Sequence, residues 1–398
     1  MRSIAKSIRD RQREGLDTDA VIFIVAVSMF LVSVIVDMSL LGIDTRVTQV
    51  LRYAGYGIIL YKLVKDIYDR NTLVKYLVIF SMLIVGYVFN HNKVMLLYSL
   101  VVLATINIES KLLMKIYFAV QGMILLIIVT MSQLGMVLDY VNKSIDRTRH
   151  YLGFDHATTA PILFLFMLME YIYIRKGKLT LLEYLAGMGI VTYFYKLTDT
   201  NMAFWICVAT LTFFFIIQLW IDKGYITETF RYLLALSPWF AAALSIWAQY
   251  AFKAENATWM KLDEFFHTRL RLGYEAINTY GFSLFGRDIT WIGSSFPDMN
   301  PKGYNYVDCS YLQIALQQGL IFLCIVLAMY SYIILKMTRE KKYYGAWICV
   351  FISVFSMTEP RLVNVVFNPF VILALTIITT DVSEYVKRLE IKRKRAYG

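Results

Sequence analysis

The stretch AVIFIVAVSMFLVSVIVDMSLL (Ala20–Leu41) carries one ionisable residue, Asp37, in an otherwise apolar run. At a rise of ~1.5 Å per residue, about 20 residues of α-helix cross the ~30 Å hydrocarbon layer of a bilayer. Similar runs recur at roughly 47–66, 73–90, 92–107, 112–136, 158–175, 181–196, 201–221, 229–251, 308–335, 343–358 and 362–380. The alternating pattern of an outer-membrane barrel is absent. The chain therefore reads as all-α, a polytopic membrane bundle of about 12 transmembrane helices. Its 58% hydrophobic content and mean hydropathy of +0.55 fit that reading, since soluble domains are about 45–50% apolar.

A net charge of +11 would point a soluble chain toward nucleic acid. In a membrane protein it reflects basic cytoplasmic loops facing anionic headgroups, so membrane lipids are the expected partners and nucleic acid is not. Cys207, Cys309, Cys324 and Cys349 are scattered with no CxxC pair, which indicates neither a disulfide framework nor a zinc site. The first apolar run lacks a small-residue cleavage motif and reads as a retained anchor.

Basic clusters set the expected orientation. Arg2–Arg13, Lys62/Lys65/Arg70, Lys111/Lys115, Arg175/Lys176/Lys178, Lys336/Arg339/Lys341/Lys342 and Lys387–Arg395 share one side when twelve spans are counted. Both termini are then cytoplasmic. Residues 1–398 form a single integral membrane domain, with a cytoplasmic segment 1–19 and a basic cytoplasmic tail 381–398. Two loops face outward, 137–157 and the large 252–307. They carry Arg147, Arg149, His150 and His156, then His267, Arg269, Arg271 and Arg287. With His91 in a tight outward turn, all four histidines fall on the outer face. A large outward loop this rich in arginine suits an anion at that face, because the guanidinium fork matches phosphate oxygens and stays charged in low dielectric.

Residues 258–280 read as an amphipathic helix lying on the membrane surface, with Trp259, Leu262, Phe266, Leu270 and Ile277 on one face and a gap at Gly273. Glu264, His267, Arg271 and Glu275 form its polar stripe, either a functional face or an ordinary solvated one with local ion pairs. Asp308 sits where the tenth span begins. It fits a partly desolvated base and equally a helix N-cap. His150 and His156 are open as bases or bystanders; their spacing is not that of a zinc site. Asp37 is either a functional intramembrane acid or a helix-terminal one. Trp259, Trp291, Tyr274, Tyr280, Tyr304 and Tyr306 suit stacking on sugar rings or anchoring at the interface.

The stretch Arg269-Leu270-Arg271-Leu272-Gly273-Tyr274-Glu275-Ala276-Ile277, then Tyr280-Gly281 and Leu284-Phe285-Gly286, resembles the Wzy-type polysaccharide polymerases, within the group that includes O-antigen ligases. So do Tyr306-Val307-Asp308-Cys309-Ser310-Tyr311, Gln318-Gly319-Leu320 and Leu152-Gly153-Phe154-Asp155-His156. The chain departs from many relatives at Ala157-Thr158-Thr159, where they carry Asn-Pro-like residues, and at Asn201, where they often show Arg.

The resemblance implies a GT-C-like bundle in the bacterial cytoplasmic membrane with an extracytoplasmic active site. It implies transfer of a glycan chain from undecaprenyl diphosphate to the non-reducing end of another undecaprenyl-diphosphate-linked repeat unit, without metal or cofactor. Flippase and chain-length-regulator partners would accompany it. Arg269 would clamp the diphosphate with Arg147, Arg271 and Arg287 as helpers, and the base would be Asp308, His156, His267 or Glu275. An O-antigen ligase uses the same donor with another acceptor. A lipid-linked oligosaccharide flippase would favour charges within spans and repeated halves, whereas here the charges avoid mid-span positions and no halves repeat. A non-catalytic scaffold has no evident use for the arginine-rich loop.

Overall fold

The computed structural model describes residues 2–66, 87–88, 91, 93–105, 108–143, 147–221, 227–293 and 304–373. Helices dominate: α1 (Arg2–Asp37), α2 (Thr45–Asp66), α3 (Lys93–Ala104), α4 (Ser110–Gln133), α5 (Thr159–Ile174), α6 (Leu181–Thr198), α7 (Asn201–Ile221) and α8 (Glu228–Tyr250). After α8 come two short helices, α9 (Ala257–Phe265) and α10 (Arg269–Tyr280), then α11 (Ser310–Gln317), α12 (Leu320–Arg339) and α13 (Tyr343–Phe355). Five stretches, Ala20–Asp37, Ser110–Gln133, Asn201–Leu219, Glu228–Tyr250 and Leu320–Arg339, are long and apolar enough to cross a bilayer. The protein is an all-α, membrane-embedded chain. Its outer surface agrees: Leu126, Leu219 and Phe240 are each 69% exposed, an apolar exterior that lipid covers and water would not. Most of the third expected helix (73–90), the chain beyond 373 with its basic tail, and residues 294–303 of the large loop lie outside the described residues.

Helix α5 is the hub. Nearly every residue from Thr159 to Tyr173 is buried, and it meets α4, α6, α7 and α13. Around it α1 lies against α2 and α4, and α8 against α10, α12 and α13. Asp37 takes the helix-terminal role: Arg52 and Thr48 of α2 hold its carboxylate. Pro238 inside α8 cannot donate to the Leu234 carbonyl one turn back, and the adjacent Ala235 carbonyl accepts the Ser331 hydroxyl of α12 (2.6 Å).

Four sequence expectations change in detail. The loop 137–157 contains a small antiparallel hairpin, β1 (Val141–Lys143) with β2 (Thr148–His150), Asn142 facing Arg149. The expected helix 258–280 is two helices, broken at His267 (φ 52°) and Thr268 (φ 67°), while Gly273 sits inside α10 against Gln249. Because the helix breaks, the stripe from Glu264 to Glu275 does not form one face. The expected span 308–335 divides at Gly319 (φ 96°) into α11 and α12. Finally, residues 356–369 after α13 are not helical, so the last expected span starts late, at Phe370.

The Gly319 break is locked by a backbone crossing. Leu320 N–H donates to Ser283 O (3.0 Å), Ile321 N–H to Leu284 O (3.2 Å) and Arg287 N–H to Gln317 O (3.2 Å). A Cβ on Gly319 would lie 2.4 Å from Gly286 N and from Leu284 O, both backbone atoms. Gly319→Ala should therefore cost roughly 1–3 kcal/mol and lower the thermal unfolding midpoint in detergent. Gly57→Ala, on an α2 face with nothing within 4 Å, should not. Equal midpoints for both variants would contradict the crossing.

Candidate functional site

Several elements end on one side of the bundle, where the hairpin, the start of α10, the start of α11 and the turn after α13 come together. Arg147 and Arg149 arrive on the hairpin and grip the C-terminus of α6. Arg147 pairs through Nε with the Asp199 carboxylate, and its Nη2 donates to Asp199 O (2.7 Å). Arg149 Nε donates to Thr198 O (2.9 Å). Cations suit the exposed carbonyls of a helix C-terminus. The turn in which this chain carries Asn201 is thus the turn that holds both arginines. Arg149 keeps both Nη groups without a partner among the described residues. Burial and the neighbouring Arg147 pull its pKa below the usual arginine value, an imbalance an anion would relieve.

Arg269 opens α10, and the local chain explains its placement. Buried Asp263 accepts the Arg271 N–H (3.0 Å), and its carbonyl accepts the Thr268 N–H (2.8 Å), so α10 starts from a fixed corner. Left-handed His267 and Thr268 are part of that corner; non-glycine residues there cost energy that the surroundings must supply. Arg269 Nε pairs with Asp308 Oδ2 at 3.0 Å. Asp308 is therefore not the N-cap: that position is Cys309, with no side-chain cap bond. Burial raises the Asp308 pKa, with Arg269 and Arg361 offsetting part of the rise.

Glu359 and Arg361 are the residues that sequence reading missed. The Glu-Pro-Arg turn follows α13, and buried polar groups sew it down. Ser310 Oγ donates to Glu359 O and accepts Leu362 N–H (3.1 Å), while Asn368 Nδ2 donates to Leu362 O (2.8 Å) and Tyr330 OH (2.9 Å). Arg361 lies over the Phe367 ring, 4.7 Å from its centroid. Its buried Nε has no hydrogen-bond partner among the described residues. Burial opposes its charge, but Tyr306, Glu359, Tyr98 and Asp155 more than offset that and keep it cationic. Burial, then the charge of Asp308, pushes Glu359 up to about 7. The available signal was a charged Glu-Pro-Arg triplet between two apolar runs, which reads as an ordinary solvated turn.

His156 lies between Arg149 and Arg361, and burial with those two charges pushes it down to about 4. Its Nδ1 accepts the Thr158 N–H (3.2 Å), so the proton sits on Nε2 and the ring's free function is donation. Asp155 beside it is pushed up to about 6 by burial. His267 is lowered by burial, Arg147 and Arg269. Arg147, Arg149, Arg269 and Arg361 thus share one electrostatic field with Asp308, His156 and His267. Arg271 is instead 4.0 Å from Glu275 on an exposed face of α10, and exposed Arg287 makes only a backbone bond among the described residues. His150 is held by Asp139 (2.6 Å) within the hairpin loop. Of the aromatics, Trp259, Tyr274, Tyr280 and Trp291 already meet other rings. Tyr304, 40% exposed and within the field of Asp308 and Arg269, is the better placed to meet a sugar.

Comparisons with protein-family models, characterised proteins and solved structures found no match to this chain. The chemistry of the cluster stands alone: two cationic forks, Arg149 and Arg361, with donors unused among the described residues, and a carboxyl, Glu359, that burial pushes up to about 7. If it is an anion site, millimolar pyrophosphate should raise the unfolding temperature of the wild-type protein by several degrees. In Arg361→Ala the rise should be largely lost. An equal rise in both would move the anion elsewhere.

Proposed function

We propose that this protein is a metal-independent glycosyltransferase of the lipid-linked polysaccharide polymerase kind. It transfers a glycan chain from undecaprenyl diphosphate to the non-reducing end of a second undecaprenyl-diphosphate-linked repeat unit. In this reading the bundle has about twelve spans and a GT-C-like arrangement in the bacterial cytoplasmic membrane, with both termini inside and the arginine cluster at the outer face. A flippase would deliver its substrates and a chain-length regulator would act on its product.

The observation that carries the reading is Arg361, whose buried Nε lacks a hydrogen-bond partner among the described residues, beside Arg149 with both Nη groups unused there and Arg269 held ready by Asp308 at 3.0 Å. The reaction needs such groups. An acceptor hydroxyl displaces undecaprenyl diphosphate at an anomeric carbon, negative charge grows on the departing diphosphate, and pre-placed cations stabilise it. Tyr304 offers a face for the sugar, and His156 Nε2–H a donor to hydroxyl or phosphate. Arg147 acts through its neighbour, fixing the turn against which Arg149 is set.

The test is glycan gel profiling of a deletion strain complemented with wild type or Arg269→Ala, with protein levels checked by blot. Single repeat units left on the lipid carrier in the deletion strain, and a loss of polymer of about 10²–10³-fold in Arg269→Ala, support the polymerase. Long lipid-linked polymer that never reaches its final acceptor would mean a ligase. Lipid-linked units trapped at the cytoplasmic face would mean a flippase.

A further inference from the structure

The proposed transfer leaves one proton to be placed. As the acceptor oxygen bonds to the anomeric carbon and the bond from that carbon to the diphosphate oxygen breaks, the hydroxyl proton must leave the new glycosidic oxygen. Resting on the reading above, we propose that Glu359 accepts that proton and is the general base of the transfer.

Glu359 is buried, yet its side chain has neither a hydrogen bond nor an ion pair among the described residues. Buried Glu170 also lacks a partner among the described residues but lies toward the far end of α5; beside the arginine cluster, the geometry favours Glu359. Of the other candidate acids and bases at the site, His267 is exposed, and the rest are engaged or turned away. Asp308 is tied to Arg269 at 3.0 Å. Asp155 is met by its own and the His156 backbone N–H groups and by Thr159. His156 offers a donor rather than an acceptor, because its Nδ1 already takes the Thr158 N–H. Glu275 faces away with Arg271. A buried carboxyl with an unfilled acceptor capacity is costly in a folded protein, and an incoming hydroxyl would fill it.

The backbone around Glu359 is fixed tightly enough for a positioned base. Its carbonyl accepts both the Ser310 hydroxyl and the Arg361 N–H (3.0 Å), and Pro360 restricts the residue between. One rigid turn thereby presents the proton acceptor and, two residues on, an arginine for the departing anion. The charged and titratable groups that bear on Glu359 are Asp308 from the α11 start, Arg361 from its own turn, Arg269 from α10, Arg149 from the hairpin and Tyr306 just before α11. Burial and Asp308 favour its protonated form, and the three arginines oppose it. The balance near 7 suits a base at physiological pH.

The test uses the purified full chain in nanodiscs with the lipid-linked repeat unit of its host. Polymer formation is followed across pH 5.5–8.5, and binding of undecaprenyl diphosphate is measured separately. Because the base must be deprotonated, the wild-type rate should rise with pH through about 7. Glu359→Gln should bind undecaprenyl diphosphate as the wild type does, lose roughly 10²–10⁴-fold in rate, and lose that rise. Glu359→Asp should recover part of the rate. A Glu359→Gln enzyme with more than a tenth of wild-type rate, or with an unchanged pH profile, overturns the assignment and leaves the polymerase reading intact. Loss of lipid binding in Glu359→Gln overturns it in favour of a binding or folding role. A wild-type protein that neither binds undecaprenyl diphosphate nor polymerises removes the polymerase reading itself, and this assignment with it.

Discussion

The non-helical backbone of residues 356–369 lies buried inside an otherwise helical, membrane-embedded bundle. Outside helices each N–H and C=O must find a partner, and away from water an unmet one costs several kcal/mol. The chain meets this with a small set of buried side chains. Ser310 bridges Glu359 O and Leu362 N, Tyr311 caps Ser353 O, Asn368 takes Leu362 O, and Gln121 from α4 reaches Val366 O. With α11, α12 and α4 all contributing, the segment is held from three sides. Everything at the candidate site that is not on loops 137–157 and 252–307 is positioned by it.

From that constraint the electrostatics follow. A turn that cannot move keeps Arg361 and Glu359 where solvent cannot fully stabilise either charge. The hairpin and the start of α10 then add Arg149 and Arg269 to the same field. The paired acids explain why such a gathering is tolerated: Asp199 and Asp308 each neutralise one arginine. The unused capacity remains at Arg361, Arg149 and Glu359, two cations and one carboxyl. Strained backbone at Asp199, His267 and Thr268 borders the same place, as it often does where a fold holds groups ready for a ligand.

Much of the fold was legible because a bilayer imposes long apolar runs, and those of α1, α4, α7, α8 and α12 stand out by composition alone. The breaks were not. Gly319, which follows Gln317 and Gln318 inside an expected span, carries no local sign that two backbones cross there, and the partner segment around Gly286 is distant in sequence. His267 and Thr268 adopt left-handed backbone that nothing in their identities demands, so a continuous amphipathic helix was the natural reading of 258–280. At the site, Arg147, Arg269, His156 and His267 were visible as polar residues in the two long loops and Asp308 at the start of an expected span, and the structure brings them within one field. Arg271, Arg287 and Glu275 looked equivalent on the sequence; only the direction of α10 and its following turn separates them from the others. Glu359 and Arg361 were passed over because three residues between two apolar runs resemble a solvated turn. Their burial comes from Ser310, Asn368 and Gln121, contacts no local pattern encodes.

The proposed site is a single anion seat, built from Arg269 and Arg361 on separate elements. The direct measurement is a cryo-EM structure of the full chain in nanodiscs with undecaprenyl diphosphate bound. Diphosphate density is expected within hydrogen-bonding distance of both guanidinium groups, with the Arg269–Asp308 contact lengthened or shared. Diphosphate density against other residues, with Arg361 still unpartnered, would contradict it.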